Sequence, residues 1–202
     1  MVTRGFFGRK RPEPPRPLPP GQYLTRDFPV LSAGPTPKTP LSTWDFTMEA
    51  EDASVLGQWS WEELRALKST KITVDIHCVT KWSKFDTEWE GVTIDTLLQA
   101  AKIDPPGDYL MAMCDGGYTT NVPLADVVDG KGMIAYSYGG GDLDPEHGGP
   151  ARLLAPHLYF WKSAKWVRGL RFMRHDSPGF WEMYGYHMYG DPWREQRYTG
   201  DP

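Results

Sequence analysis

A mixed α+β domain, richer in strand than in helix, is the fold class this chain predicts. Three observations lead there. Alternating apolar–polar runs outnumber stretches of helical period, and the two kinds are interleaved without an internal repeat or a βαβ rhythm. The 202 residues include 21 Gly and 19 Pro, which interrupt helices and supply turns. Nine Trp and ten Tyr must complete a core that is short of aliphatic side chains.

The elements follow in order. Residues 1–20 are basic and then proline-rich, with six prolines from Pro12 to Pro20. This stretch cannot pack and is expected to form an extended arm, leaving 21–202 as one domain. Residues 21–40 read as ordered but irregular, because prolines at 29, 35, 37 and 40 forbid a helix. Leu41 to Met48 reads as a strand. Ser60-Trp61-Glu62-Glu63 has capping-box spacing and opens a short helix through Lys68. Lys71 to Val79 alternates, with Ile72, Val74, Ile76 and Cys78 on one face and Thr73, Asp75 and His77 on the other. Thr93 begins a helix with Ile94, Leu97, Leu98 and Ala101 on one side. Tyr109 to Met113 is a buried-type strand, Leu124 to Val128 a single helical turn. Lys131 to Tyr138 and Tyr159 to Phe172 supply further strands.

Composition excludes several functions. A net charge of −4 offers no basic field for nucleic acid. No apolar run approaches the ~20 residues that span a membrane. Arg4, Arg9, Lys10 and Arg11 are followed by no apolar export segment, so a cytoplasmic protein is expected. Two cysteines there read as thiols rather than a bridge. Gly139-Gly140-Gly141 precedes neither a helix nor a Lys-Ser/Thr pair, so it is not a nucleotide loop.

The chemistry-bearing residues are few. Cys78 closes a strand; its thiolate suits a soft or high-valent metal. No CxxC and no paired histidines lie nearby, so such a metal would need most of its ligands from an organic cofactor. His147-Gly148-Gly149-Pro150-Ala151-Arg152 is an open turn whose histidine could bond a cofactor edge and whose arginine could fork onto a phosphate. Lys162-Ser163-Ala164-Lys165 combines small residues with lysines, as anion-binding turns do. Tyr118 could polarise an oxygen, and Arg26 could fix an anion.

Together these segments resemble the sulfite-oxidase superfamily of molybdopterin enzymes, from about Leu24 to Phe172. Leu24-Thr25-Arg26-Asp27-Phe28 is similar to its early pterin-contacting segment. Cys78 falls where its molybdenum-ligating cysteine lies. Gly117 to Leu124 is similar to the segment bearing its active-site tyrosine, here Tyr118. His147-x-x-x-x-Arg152, then Ser163-Ala164-Lys165, matches its pterin-phosphate segment in residue type and spacing. The animal-type enzymes carry sulfite-binding arginines just after the cysteine, where Trp82 and Ser83 stand here. Cys-Val-x-x-Trp is closer to the methionine-sulfoxide-reductase branch.

The resemblance implies a strand-rich sulfite-oxidase-type fold and a mononuclear oxo-molybdenum held by one pterin dithiolene. Cys78 would be its protein ligand, and oxygen-atom transfer to or from a small sulfur- or nitrogen-containing substrate its reaction. Tyr118 and Arg26 would act on that substrate. Leu24 to Phe28, Cys114, Asp115, His147, Arg152, Ser163, Ala164 and Lys165 would bind the cofactor. An external electron partner, a flavoprotein or a haem protein, is implied. A non-catalytic molybdopterin-binding module is the alternative. A metal-free hydrolase built on Cys78 and His77 is disfavoured, because adjacent strand residues face opposite ways. The C-terminal Gly185 to Trp193 carries no assigned chemistry and reads as aromatic packing.

Overall fold

The computed structural model describes residues 14–202. The first part of the proline-rich arm, 1–13, lies outside the described residues. Two mixed sheets carry the architecture. One is built on β1 (Tyr23–Leu24), β5 (Trp82–Thr93), β8 (Met133–Tyr138) and β10 (Arg152–Leu154) in that order, with β4 (Thr70–His77) also paired to β5 and β9 (Gly141–Asp142) to β8. The other runs β3 (Val55–Ser60), β2 (Asp45–Glu49), β11 (Val167–Met173), β6 (Tyr109–Cys114), β7 (Thr119–Pro123). Among the described residues three short helices, α1 (Trp61–Ala66), α2 (Ile94–Ala101) and α3 (Phe180–Met183), accompany them. The mixed, strand-rich α+β expectation holds.

The first sheet is buried on both faces. Along β8, Ile134 and Tyr136 enter one core cluster, which also holds Phe46, Leu110 and Phe172 of the second sheet. The alternate residues Met133 and Ala135 enter a second cluster with Ile76, Cys78, Trp82, Trp89 and Phe160. That double burial explains the unbroken apolar run Met133-Ile134-Ala135-Tyr136, since a strand covered on both sides need not alternate. β4 and β5 form a hairpin closed by Cys78 to Lys81. The Cys78 N–H donates to the Trp82 carbonyl (2.8 Å) and the Lys81 N–H to the Cys78 carbonyl (3.0 Å). Strand alternation therefore places Cys78 in the second cluster, as its spacing from Ile72, Val74 and Ile76 predicts.

Both sequence-predicted helices keep their caps. Ser60 and Glu63 form the reciprocal capping box of α1, which ends at Ala66, before Lys68. The Thr93 side chain accepts from the Thr96 N–H at the start of α2. Two expectations are corrected. Leu41 to Thr43 is a 3-10 turn after Pro40, and the strand begins at Asp45. Tyr159 to Phe172 is not one strand: Phe160 to Lys162 is a 3-10 turn and β11 starts at Val167. His77, on the face opposite Cys78, is buried: Tyr159 bridges to it and the Trp193 ring lies 6.3 Å away. The last residues of the proline-rich arm also dock. Arg16 reaches Asp75 and Asp86 and lies 4.2 Å over the Phe85 ring, and Pro19 is buried. Proline bars a helix, not a cation from pairing with carboxylates.

A buried polar knot joins α3 to the second sheet. Lys162 Nζ lies 2.6 Å from Glu182 Oε1 and donates to the carbonyls of Asn121 (2.9 Å) and Met188 (2.6 Å). Thr120 and the Trp161 indole N–H donate to the same Glu182 oxygen. Neither Lys162 nor Glu182 has an exposed side chain. Breaking such a pair leaves an uncompensated buried charge, so Lys162→Met should cost about 3–5 kcal/mol. The Lys162→Met, Glu182→Leu double variant should recover part of that loss, though not the backbone acceptors. Urea denaturation of the three proteins measures both effects.

Candidate cofactor cavity

A cavity of about 680 Å³ opens where loops of the two sheets converge. The first sheet contributes Cys78, Val79 and Thr80 from the β4–β5 turn, with Trp82 at the start of β5. The second contributes Asp115 to Tyr118 from the β6–β7 turn. The segment after β1 contributes Phe28 and the stretch from Leu31 to Pro37. Glu146, His147 and Arg152 come from before and at the start of β10. Ser163 to Trp166 precede β11.

Main-chain hydrogen bonds bring the last two segments together. The Leu153 N–H donates to the Ala164 carbonyl (2.9 Å), Val167 to Ala151 (3.0 Å) and Trp166 to Gly148 (3.2 Å). The Asp115 N–H donates to the Trp166 carbonyl (2.9 Å) and ties the β6 end to the same edge. Gly148 sits at φ +112, and a Cβ there would stand 3.0 Å from the Lys165 side chain, so glycine is required for the approach. The two segments singled out in the sequence thus form one surface.

Arg152 dominates that surface. It is 2% exposed. Its Nη1 donates to the His147 carbonyl (2.7 Å), its Nη2 to the Ser163 carbonyl, and its plane lies 4.0 Å from the centre of the Phe160 ring. Its Nε has no partner, and among the described residues no carboxylate pairs with it. Burial pushes the guanidinium down to about 9. A guanidinium keeps its proton at working pH, so that shift measures the cost of a charge lacking its counter-ion. Lys165 stands beside it, pushed down to about 8 by burial and by Arg152. Its Nζ donates to the carbonyls of Leu31 (2.7 Å) and Glu146 (3.0 Å). The His147 ring stacks on Phe28 at 3.9 Å and 9°, and burial lowers its basicity. The Ser163 hydroxyl accepts from the Ala155 N–H (2.9 Å).

At the other side Cys78 is 7% exposed. Burial raises its thiol, while a contact with the Thr80 hydroxyl (3.1 Å) and the charge of Arg197 act the other way. Both cysteines are free. His77 turns away: its Nδ1 meets the Ser83 hydroxyl at 2.8 Å, which leaves a Cys78–His77 hydrolase without geometry. Tyr118 donates its hydroxyl to the Trp161 carbonyl (2.8 Å), and burial lifts it well above its usual range. Among the described residues no group of His, Cys, Asp or Glu could hold a metal alone. A metal at Cys78 must arrive with other ligands, and the residues fit such a group. Arg152 Nε and the Trp82 indole N–H are buried donors without acceptors, and both residues line the cavity. Gly116 and Gly117, at φ +78 and +80, line it as bare backbone with open space where a Cβ would stand.

The structure brings Phe28, Cys78, Asp115, Tyr118, His147, Arg152, Ser163, Ala164 and Lys165 to one cavity. It does not bring Leu24, Thr25, Arg26, Asp27 or Cys114 to its lining. Leu24 pairs with Ser83 in β1, and the Thr25 N–H continues that pairing. Arg26 is exposed on a bend, where its carbonyl accepts from Lys84, so a substrate role for it lacks geometry. Cys114 lies behind the wall, its thiol raised by burial and by Asp115. Asp115 itself braces Thr39 and Arg168. Sequence reasoning missed Trp161, Phe180, Trp181 and Tyr186, which also line the cavity. Their signal was the aromatic density of the chain, in Tyr159 to Trp161 and again from Phe180 onward.

Among described residues no helix is long and apolar enough to cross a membrane. A family model for the oxidoreductase molybdopterin-binding domain matches residues 33–181. The uncharacterized oxidoreductase YuiH of Bacillus subtilis (strain 168) is 41% identical over 199 residues, 97% of this chain and 100% of that protein. The protein-methionine-sulfoxide reductase catalytic subunit MsrP of Gluconobacter oxydans (strain 621H) is 24% identical over 132 residues, 57% of this chain and 42% of that one. The NADPH nitrate reductase of Fusarium oxysporum is 30% identical over 103 residues, 48% of this chain and only 11% of that enzyme. The sulfane dehydrogenase SoxCD from Paracoccus pantotrophus superposes with a TM-score of 0.60 at 22% identity, covering 69% of this chain and 40% of that one. At that identity the likeness concerns the fold.

Lys165 gives the stability of the fold a pH dependence. Its folded value near 8 lies below the ordinary 10.5, so between these pH values the unfolded chain binds more protons and stability rises with pH. Thermal melts of ligand-free protein should show that rise diminished in Lys165→Met. Inorganic phosphate, which favours the protonated lysine, should bind more weakly as pH passes upward through 8, as isothermal titration can follow.

Proposed function

The chain belongs to the oxidoreductase molybdopterin-binding domain family, and on that premise we propose that it is a molybdenum-dependent enzyme moving an oxygen atom to or from a small sulfur- or nitrogen-containing substrate. The observation that carries this reading is the pairing of an unneutralised, buried Arg152 with a buried Cys78 thiol on one cavity. A phosphorylated cofactor bearing a metal answers both: its phosphate supplies the missing anion and its metal accepts the thiolate.

Arg152, with Lys165 and the turn Ser163-Ala164, would hold the phosphate. His147, fixed by its stack on Phe28, would set the plane of the pterin. Gly116 and Gly117 would leave room for it along the β6–β7 turn. Cys78 would be the protein's ligand, positioned by the hairpin hydrogen bonds and by Gln22, whose side-chain amide donates to the Cys78 carbonyl (3.0 Å). When bound, the molybdenum centre supplies two-electron oxygen-transfer chemistry; the chain supplies orientation and a water-poor site. Tyr118 would turn its hydroxyl from the Trp161 carbonyl toward a substrate oxygen. Electrons would enter or leave through a separate flavoprotein or haem protein.

Protein expressed with molybdate should carry stoichiometric molybdenum, by elemental mass spectrometry, and release a fluorescent oxidised pterin. Cys78→Ala should lose the metal while keeping the fold, and Arg152→Leu should lose metal and pterin together. Folded wild-type protein holding neither would sink the proposal.

A further inference from the structure

Cys78, Val79 and Thr80 of the β4–β5 turn line the cavity, and two side chains that do not line it hold that turn. Gln22 donates to the Cys78 carbonyl (3.0 Å). Arg197 donates through Nη1 to the Val79 carbonyl (2.6 Å) and through Nη2 to the Pro20 carbonyl (3.2 Å). One guanidinium thus joins the turn to the segment ahead of β1 and to the C-terminal segment. The segment ahead of β1 is shaped to receive it. Gly21 takes φ +69, and a Cβ there would stand 2.7 Å from Glu195 Oε1 and 3.2 Å from Arg197 Nη2.

Arg197 is itself held in place. It is 7% exposed, and its guanidinium lies 5.0 Å from the centre of the Tyr159 ring. Tyr159 is the residue that bridges to His77, next to Cys78. The Arg197 N–H donates to Asp201 Oδ2 (2.9 Å), and its carbonyl accepts from the His187 N–H (3.2 Å). The carboxylate beside the guanidinium, Glu195, stands 3.7 Å away and is half exposed, so solvent screens it. The charge of Arg197 favours the Cys78 thiolate.

A ligand carried on a turn is only as well placed as the turn itself, and turns are the mobile parts of a fold. The planar guanidinium fork reaches two carbonyls at once with little loss of side-chain freedom per bond, which an ammonium cannot match. Resting on the reading of Cys78 as the metal's protein ligand, we propose that Arg197 is a positioning residue for that ligand: it fixes the Cys78–Val79 turn through the Val79 carbonyl and sets a positive charge beside it. The two parts of this role separate experimentally. Loss of the fork frees the turn. Loss of the charge disfavours the reduced metal, which carries one positive charge fewer, and so lowers its potential.

Hydrogen exchange on metal-free protein reads the turn, and redox titration of molybdenum-loaded protein reads the charge. In Arg197→Met the amides of Cys78 and Lys81, which close the turn, should exchange several-fold faster than in wild type, while those of β8 stay unchanged. Titration with dithionite and mediators, followed by the Mo(V) electron paramagnetic resonance signal, should place the Mo(VI)/Mo(V) midpoint of Arg197→Met below that of wild type. Arg197→Lys keeps the charge and loses the fork, so it should restore most of the midpoint but not the exchange protection. A folded Arg197→Met protein with wild-type exchange at the turn overturns the inference, as does a loaded one with the wild-type midpoint. So does an Arg197→Lys midpoint as low as that of Arg197→Met, since the shift would then come from packing alone. If Arg197→Met does not fold or load, Arg197→Lys decides: faster exchange at both amides with a near wild-type midpoint supports the inference, and unchanged exchange overturns it. Metal content of the wild type is read first. Folded wild-type protein without molybdenum and pterin overturns the reading of Cys78 as a ligand, and the role of Arg197 falls with it; loaded wild type with unaltered variants overturns the role of Arg197 alone.

Discussion

Burying the Arg152 guanidinium with only carbonyl oxygens as partners imposes a geometric demand on everything around it. Removing a charge from water costs several kcal/mol even after relaxation, unless hydrogen bonds and a counter-ion compensate. The carbonyls of His147 and Ser163 provide part of that compensation, and the Phe160 face provides more. Those carbonyls converge because β10 and the segment ahead of β11 are joined edge to edge. Phe160 in turn packs with Trp82, Trp89 and Phe28 on the outer face of the first sheet. One cation therefore ties the double burial of that sheet to the shape of the cavity.

Much of this was legible in the chain. Cys78 is placed by strand parity with Ile72, Val74 and Ile76, a purely local signal. His147, Arg152, Ser163 and Lys165 share small residues and cations, a composition that reports backbone accessible to an anion. What the sequence concealed has physical reasons. Tyr159 to Phe172 looks like one strand because aromatic and aliphatic residues recur along its length, yet Trp166 takes φ 56 and the Ser163 carbonyl turns toward Arg152. β5 hides its character in Lys84, Asp86, Glu88 and Glu90, while its opposite face and ends carry the buried Trp82, Trp89 and Val92. Arg26 lies outside the cavity for another reason. Resemblance assigns a place along the chain, but the bend at Arg26 and Asp27 sends Phe28 inward and leaves the arginine outside.

The C-terminal segment was the least readable region, and its Phe180, Trp181 and Tyr186 line the cavity. Phe180 to Tyr186 has neither helical nor strand period, so no pattern announces its position. Its location is fixed from outside: Glu182 is drawn to the buried Lys162, and the Tyr186 N–H closes onto the Trp181 carbonyl at 3.1 Å. The polar knot behind the wall and the aromatic wall in front are thus one construction. Lys162 and Glu182 neutralise each other out of reach of the cavity, and that leaves the rings they anchor free of charge on the cavity side. Cys78 faces this wall with its thiol raised by burial, a setting in which a free cysteine is a poor nucleophile. A ligand that stabilises the thiolate, as the metal proposed above would, offsets that penalty. The same apolar surroundings would keep water from the metal proposed to bind there.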